Sequence, residues 1–282
     1  NVNGHAPRMP QEPLARRPRR VLTKDARPYQ LQVDFFFDRA EAATAEGKHL
    51  NFQMACGTGK TFTYGLIIAR DLQQFPEGRH VVFVPWQDLA RQTEAELKSF
   101  GLEVCVMGAG SNKLNRKAHV VVCVYASAFK LLGMSFRTKI VDEAHHMELK
   151  TTGPWASRMG GRIPAEMVAH FSGTFHQQSS VDFRYDLDLA VKEGYVCDFQ
   201  ITVAVTPNDD DDVEGMAKWL VANSEQFSPM LVVCNRIEKA WAFSALLSDL
   251  GLRAACIDGR ATGGLRNMAK NSLDDGSLQA LC

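Results

Sequence analysis

This 282-residue sequence contains no long apolar run. No stretch approaches the roughly 18 uninterrupted apolar residues that cross a membrane, so we predict a soluble chain with no membrane partner. The length suits about two domains, because single hydrophobic cores rarely grow to this size.

The sequence also has no closely paired cysteines. Its seven cysteines are odd in number, and none stands in C-x-x-C spacing. This pattern argues against a disulfide framework or a zinc site and indicates a reducing compartment. We therefore expect an intracellular protein, in the cytoplasm or in the nucleus or nucleoid.

There is no excess of charge of either sign, since the formal net charge is zero. Overall charge therefore does not imply a polyanionic partner, and any nucleic-acid binding must come from local basic groups and backbone amides. The basic residues concentrate at the start of the chain. Residues 1–24 are predicted to be a disordered, basic, Pro/Arg-rich arm, with a targeting signal or a nucleic-acid tether as the alternative.

Short apolar runs alternate with amphipathic segments from about residue 50. Runs this apolar suit strands that are covered on both faces, as in a parallel sheet flanked by helices. A helix is predicted between two of them, because Leu89, Thr93, Leu97 and Phe100 recur at helical spacing. The predicted strands are NFQMA, VVFVP, VCVM, VVVCVY, KIVDEA and AHFSGT.

A second α/β series begins after Phe199, with strands in FQITVAV, MLVVCN and AACID and a helix in IEKAWAFSALLSDL. We therefore predict two lobes, residues 25–197 and 198–282, of doubly wound α/β architecture. The acidic run at residues 208–212 is predicted to be a solvated loop, with metal binding as the alternative.

The stretch MACGTGKT, at residues 54–61, ends like a phosphate-binding loop. A strand leads into glycines, which let backbone N–H groups turn around an anion at the positive end of a helix dipole. Lys60 is expected to reach the β- and γ-phosphates of ATP, and Thr61 to ligate Mg²⁺. An ordinary glycine turn is the alternative. The predicted loop residues are Ala55, Cys56, Gly57, Thr58, Gly59, Lys60 and Thr61.

A second motif, KIVDEAHH, places two carboxylates at the end of an apolar strand. Asp142 is predicted to hold Mg²⁺, and Glu143 to polarise the attacking water. The alternative is an acidic pair that caps a helix and is followed by incidental histidines. Zinc binding by His145 and His146 is disfavoured, because the sequence has no H-E-x-x-H.

These motifs together resemble those of superfamily 2 helicases and translocases, in the DEAD/DEAH-like branch close to type I and type III restriction-enzyme motors. The resemblance accounts for Met54. The family loop commonly reads A-x-x-G-x-G-K-T, and Ala55 to Thr61 follow this pattern except that one residue, not two, separates the alanine from the first glycine. It implies two RecA-like P-loop lobes, the second incomplete here. It also adds His145 to the catalytic residues.

The resemblance assigns further roles in the family's order of motifs. Arg27 and Gln30 in RPYQ are expected to read adenine. Ser172 and Thr174 in FSGT resemble the S-A-T coupling motif, with Gly173 in place of alanine. Nucleic-acid contacts are expected from Pro85, Gln92, Ser127, Asn235 and Arg236.

The sequence begins with asparagine and stops at LQALC, where the family continues into an arginine-bearing helix. We therefore expect a fragment of a longer, C-terminally truncated product. Such arginines contribute about 10³- to 10⁵-fold to related phosphoryl transfers. The chain alone is accordingly expected to bind Mg-ATP but to hydrolyse it slowly.

The leading hypothesis is an ATP-dependent helicase or translocase core that moves on nucleic acid, with DNA favoured over RNA. The alternatives are a catalytically inactive, ATP-gated binding or scaffold module and a small-molecule kinase. Attached nuclease or methylase subunits are not identifiable from the sequence. A further hypothesis is that Cys56 is redox-sensitive. The alternative is that Cys56 is only a small residue that fits the loop. The basic loop at residues 111–117 is predicted to be solvated, with a nucleic-acid contact as the alternative.

Overall fold

The computed structural model describes residues 27–108, 110, 114–115, 117–148, 162–175, 180–198 and 213–282, with the backbone alone at residues 27–31, 147 and 148. The chain divides into two compact units, Asn1–Asp198 and Phe199–Cys282. Several predicted features lie outside the described residues: the arm at 1–24, the strand FQITVAV, the acidic run at 208–212, and two basic residues, Lys113 and Arg116.

The first unit alternates strands with helices, as the apolar pattern predicts. In chain order its elements are α1 (Arg27–Ala45), β1 (Leu50–Met54), α2 (Lys60–Gln74), β2 (His80–Val84), α3 (Gln87–Ser99), β3 (Val104–Met107), β4 (Val120–Val124), the 3₁₀ segment η1 (Tyr125–Leu131), β5 (Phe136–Asp142), α4 (His145–Glu148), β6 (Ala165–Ser172), β7 (Phe183–Tyr185) and α5 (Leu187–Lys192).

The seven strands form one sheet in the order β3-β4-β2-β5-β6-β1-β7. Every neighbouring pair in this sheet runs parallel. The α/β class and the parallel sheet predicted from the sequence are thereby confirmed. Because the strands are parallel, their carboxyl ends share one edge of the sheet.

Both faces of the sheet are buried, which explains why the central strands read as continuous apolar runs. In β2 the alternate residues Val82 and Val84 pack with the helices α1, α2 and α3. Their neighbours Val81 and Phe83 pack on the opposite face, with residues of η1. Aromatic stacking of Phe52 on Phe171, with ring centroids 4.7 Å apart, joins the neighbouring strands β1 and β6 within the first core.

The second unit is a smaller α/β unit with a three-stranded parallel sheet in the order β8-β10-β9. Its core includes Ala217, Met230, Phe243, Leu247 and Ala280. Its elements are α6 (Val213–Ala222), α7 (Ser224–Phe227), β8 (Met230–Leu231), α8 (Ile237–Asp249), β9 (Ala254–Ala255), α9 (Gly263–Asp274) and β10 (Ala280–Leu281).

The strands differ from the sequence prediction mainly at their ends. Strand β5 stops at Asp142 and not at Ala144, because Glu143 has a positive φ of 49° that breaks the extended backbone. The predicted strand MLVVCN is reduced to Met230–Leu231, which among the described residues pairs with the two residues of β10. The edge strand β7 was not predicted, since three residues carry too little periodicity.

All seven cysteines are free thiols. Among the described helices, none combines the length and the apolar character needed to cross a membrane.

Candidate functional site

Three of the predicted motifs meet at the carboxyl edge of the first sheet. The strand order places β6 between β5 and β1. Gln53 of β1 is level with Ser172 of β6, and Asp142 of β5 is level with Phe171. The loops that follow Met54, Asp142 and Ser172 therefore emerge side by side, at the place where open α/β sheets bind ligands.

The predicted phosphate loop has the backbone geometry that its glycines permit. Gly57 and Gly59 have φ values of 80° and 86°, in the left-handed region that glycine adopts without strain. Gly59 precedes α2, which has no side-chain cap. Within the described residues, no acceptor pairs with the backbone N–H groups of Gly57 or Lys60. These free donors at a helix N-terminus fit an anion such as phosphate.

The residues around the glycines hold the loop in place. The Thr58 side chain is buried, and its hydroxyl donates to the Ala55 carbonyl at 2.6 Å. Met54 is the fully buried last residue of β1, so the position of the missing first glycine belongs to the core and not to the loop. Cys56 is exposed. The hypothesis that Cys56 is redox-sensitive stays a prediction.

Lys60 contacts the acidic pair directly. Its ammonium nitrogen lies 3.4 Å from Glu143 Oε1 and 3.5 Å from the Met54 carbonyl. The Lys60 side chain is only 10% exposed and that of Glu143 21% exposed. This partly desolvated ion pair is stronger than one on an open surface. The phosphate loop and the carboxylates thus form a single site.

Asp142 is buried and firmly oriented. Its Oδ1 accepts from the Glu143 backbone N–H at 2.9 Å, and its Oδ2 accepts from the Tyr64 hydroxyl at 3.2 Å. Burial and the neighbouring Glu143 charge raise the pKa of Asp142 to about 6, while Lys60 opposes the rise. At neutral pH the carboxylate is therefore mostly ionised, as a cation ligand must be.

The described residues contain no group of three or more His, Cys, Asp or Glu side chains that could hold a metal ion unaided. Mg²⁺ does not need such a cage, since proteins commonly hold it through one or two carboxylates together with substrate phosphates. Asp142 fits this requirement. Thr61 is half-buried on the first turn of α2, directly after Lys60.

Glu143 has a backbone conformation that is rare for a side chain of its size. Its φ of 49° lies in the left-handed region, which costs a non-glycine residue about 1–2 kcal/mol. The turn is fixed on both sides, since the Ala144 N–H donates to the Phe171 carbonyl at 3.0 Å and the His146 N–H donates to the Glu143 carbonyl at 3.0 Å. Strain of this kind concentrates at functional sites.

His145 joins the acidic pair to the predicted coupling motif. Its Nδ1 lies 2.8 Å from Ser172 Oγ and 3.4 Å from Glu143 Oε2. Ser172 is fully buried, and its hydroxyl also donates to the Thr174 carbonyl. The structure therefore brings together the predicted residues His145, Ser172 and Thr174.

The adenine-reading residues are described only in part. Arg27 and Gln30 lie in α1, and their side chains are outside the described residues. Helix α1 nevertheless contacts the start of α2. The Thr63 hydroxyl lies 3.0 Å from Gln32 Oε1 and 3.1 Å from the Gly59 carbonyl.

The nucleic-acid residues predicted in the first unit differ in exposure. Gln92 is exposed on α3, and Pro85 is half-buried at the end of β2. Ser127 is only 8% exposed, and a Cβ on Gly108 would lie 2.5 Å from its Oγ. Trp86, which the sequence did not single out, is half exposed and lies edge-on to His146, with ring centroids 5.2 Å apart.

The two predicted contacts in the second unit are both exposed. Asn235 and Arg236 follow β8, and Arg236 is the residue that immediately precedes α8. Lys117, the described member of the predicted basic loop, is also exposed.

Three residues contact the site although this contact was not predicted from the sequence. Tyr64 and Tyr125 donate hydrogen bonds to the side chain and the backbone of Asp142, and Thr93 contacts the Tyr64 hydroxyl. All three lie among apolar neighbours and are buried. The sequence pattern of Tyr64 and Thr93 is that of core residues, so it does not distinguish these two.

The parallel sheet, with a phosphate loop and an acidic pair at the carboxyl ends of two strands that flank β6, defines a RecA-like helicase core of superfamily 2. The family model described as "Type III restriction enzyme, res subunit" matches residues 23–177, more than half of the chain. The chain therefore belongs to this family.

Solved structures show the same fold at low sequence identity. The type ISP restriction-modification enzyme LlaBIII bound to DNA matches with a TM-score of 0.68 and 15% identity, covering 90% of this chain and 24% of that one. Dbp5 of S. cerevisiae, the L327V variant bound to RNA and ADP BeF3, matches with a TM-score of 0.55 and 14% identity, over 90% and 73% of the two chains.

The SWI2/SNF2 ATPase core of Sulfolobus solfataricus in complex with double-stranded DNA matches with a TM-score of 0.51 and 12% identity, over 91% and 77% of the two chains. This chain therefore spans about a quarter of LlaBIII but about three quarters of the other two. A search of curated protein sequences finds no match.

Proposed function

We propose that this chain is an ATP-hydrolysing motor core that acts on DNA. The observation that carries the proposal is the contact between Lys60 and Glu143, 3.4 Å apart at the carboxyl edge of the sheet. A phosphate-binding lysine and a carboxylate that can polarise water then face the same reacting group. The third hypothesis, a small-molecule kinase, is disfavoured because the chain belongs to the restriction-enzyme family and not to a kinase family.

In this proposal the loop from Ala55 to Gly59 and the N-terminus of α2 bind the phosphates of ATP through backbone N–H groups. Lys60 neutralises charge on the β- and γ-phosphates. Thr61 and Asp142 would hold Mg²⁺, which when bound stabilises negative charge on the transferring phosphoryl group. Arg27 and Gln30 are proposed to bind the adenine base.

Glu143 is proposed to orient and polarise the attacking water. In the described structure its two carboxylate oxygens face Lys60 and His145, at 3.4 Å each. Because His145 also contacts Ser172, a change at the γ-phosphate can reach the segment that ends at Thr174. We propose that this path couples hydrolysis to movement.

DNA is favoured because the family is described as a restriction-enzyme subunit and because LlaBIII, a restriction-modification enzyme, is bound to DNA. Dbp5 of the same fold is bound to RNA, so RNA is the alternative polymer. Pro85, Gln92, Ser127, Asn235 and Arg236 are proposed to contact the nucleic-acid backbone.

The test is steady-state ATP hydrolysis by the 282-residue chain with duplex DNA, single-stranded DNA, RNA or no polymer. Glu143→Gln should keep nucleotide binding and lower kcat about 10²- to 10⁴-fold, as expected for loss of a general base. Lys60→Ala should weaken nucleotide binding about 10- to 100-fold, because it removes a charge-assisted contact.

Two matched variants serve as controls. Glu166→Gln changes an exposed carboxylate at the start of β6, at the opposite edge of the sheet from Glu143. Lys48→Ala removes an exposed lysine paired with Glu46. Both should hydrolyse ATP at the wild-type rate. Because the chain alone is expected to hydrolyse ATP slowly, the deciding result is stimulation: normal nucleotide binding with hydrolysis that no polymer raises would contradict the motor proposal and favour the ATP-gated binding module.

A further inference from the structure

We propose that the Tyr64 hydroxyl is a positioning group that ties Asp142, a residue proposed to hold Mg²⁺, to helix α3, the element proposed to lie on nucleic acid. The inference rests on the proposed function, since it concerns the same ATP site. Tyr64 belongs to no phosphate-loop motif and lies within α2, in an apolar stripe with Ile67 and Ile68.

The contacts of Tyr64 converge on one oxygen atom. Its side chain is fully buried, yet its hydroxyl lies 3.2 Å from Asp142 Oδ2 and 3.3 Å from Thr93 Oγ1. The Tyr64 phenol, on α2, therefore contacts both β5 and α3 at the point where the ATP site meets the core.

The chemistry of these groups fixes the direction of the hydrogen bonds. An ionised carboxylate only accepts, so the single hydrogen of the Tyr64 hydroxyl points to Asp142. Thr93 must then donate to the Tyr64 oxygen. A phenol is protonated at neutral pH, so Tyr64 carries the hydrogen that it donates to Asp142.

The chain of contacts runs from Thr93 through Tyr64 to Asp142. Thr93 is buried on α3 next to the exposed Gln92, the residue proposed to contact the nucleic-acid backbone. A shift of α3 on nucleic acid would therefore move the Thr93 hydroxyl relative to Tyr64. Since interiors are close-packed, such a shift is transmitted rather than absorbed.

A second tyrosine fixes the backbone of the same aspartate. Tyr125, the first residue of η1, donates its hydroxyl hydrogen bond to the Asp142 carbonyl. With the backbone held by Tyr125, displacement of Tyr64 acts on the carboxylate itself. The geometry therefore assigns Tyr64, rather than Tyr125, to the link between α3 and the carboxylate.

The proposal is tested by thermodynamic linkage, which does not require hydrolysis. The affinity of the full chain for AMP-PNP with Mg²⁺ is measured with and without saturating DNA, and with and without RNA. The ratio of the two dissociation constants is the coupling factor. In the wild type we expect nucleic acid to tighten AMP-PNP binding at least fivefold.

The variants remove single hydroxyls without large changes of shape. Tyr64→Phe should weaken Mg-dependent AMP-PNP binding about tenfold, because the Asp142 carboxylate loses a hydrogen bond, and should bring the coupling factor close to 1. Thr93→Val should lower the coupling factor at least threefold, while its effect on affinity without polymer is smaller than that of Tyr64→Phe. Thr138→Val is the matched control, as a buried threonine on β5 whose hydroxyl has no partner among the described residues.

The outcomes separate this proposal from the proposed function. A coupling factor near the wild-type value in both Tyr64→Phe and Thr93→Val would overturn the role of Tyr64, even if the wild type hydrolyses ATP. A wild type that binds AMP-PNP without any linkage to DNA or RNA would overturn it as well. Normal linkage that is lost in the variants, together with ATP hydrolysis that no polymer raises, would support Tyr64 and contradict the motor.

Discussion

Replacing Gly173 by alanine should stabilise the protein. This glycine stands where the S-A-T motif has alanine, and its φ is not in the left-handed region, so an L side chain is compatible with the backbone. A Cβ there would lie 3.6 Å from Cys56 Sγ and 3.9 Å from Lys60 Nζ, which are ordinary contact distances. The methyl group fits without displacing the phosphate loop.

The size of the expected stabilisation follows from the conformational entropy of the unfolded chain. Gly→Ala at a compatible position stabilises by about 0.4–1 kcal/mol, because alanine has fewer unfolded conformations than glycine. Gly57→Ala, a variant of the same site, is expected to destabilise the protein. A Cβ there meets only Val196, at 3.8 Å, but the φ of 80° costs about 1–2 kcal/mol. Both variants gain stability from the lower conformational entropy of the unfolded chain. The difference between their free energies of unfolding therefore reports the backbone strain at Gly57.

Urea denaturation at unchanged m value measures both effects. Gly173→Ala should raise the midpoint and Gly57→Ala should lower it. Gly47→Ala is the control for strain alone, since Gly47 has a φ of 73° and no atom within 4 Å of its added Cβ. A lowered midpoint in Gly173→Ala would refute the reasoning, because the cost of the methyl group would then exceed the entropy gain and the methyl group would not be tolerated beside Lys60.

Two further predictions concern the core. Burial, together with the charges of Arg137 and His119, lowers the pKa of His80 to about 4. The unfolded chain then binds more protons between pH 4 and 6.5, so stability falls as pH falls through this window. His80→Gln should remove acid sensitivity on the order of 3 kcal/mol, and equal losses between pH 7 and 4.5 in both proteins would contradict this. Gly65→Ala should destabilise by about 1–3 kcal/mol in urea, because its Cβ would lie 2.6 Å from the Phe100 ring; an unchanged midpoint would show that the ring moves freely.

The sequence predicts most of the first sheet, because strands buried on both faces are apolar at every position. The run VVFV illustrates this, with alternate residues in two separate cores. The phosphate loop and the acidic pair are predictable for a different reason. Their chemistry restricts the residue types at each position, so the motifs stand out from the surrounding core.

Other features depend on tertiary packing and leave no local signature. The positive φ of Glu143 comes from a turn held by Phe171, 28 positions along the chain. Tyr64 and Thr93 appear in the sequence as ordinary members of helical apolar stripes. Their hydroxyl groups acquire a role only because the sheet brings Asp142 beneath them. Sequence periodicity predicts that they are buried, but not which polar atom they meet.

The pairing of Lys60 with Glu143 bears on how the proposed motor avoids acting without substrate. A lysine that is 10% exposed needs a counter-charge, because an unpaired buried ammonium is strongly disfavoured. Without nucleotide, Glu143 supplies that negative charge, and its pairing with Lys60 prevents it from acting as a base. Phosphate oxygens carry more negative charge than one carboxylate and compete for the same ammonium. On the proposed function, ATP therefore draws Lys60 from Glu143, and the carboxylate becomes available to polarise water only when a phosphate is present to be attacked.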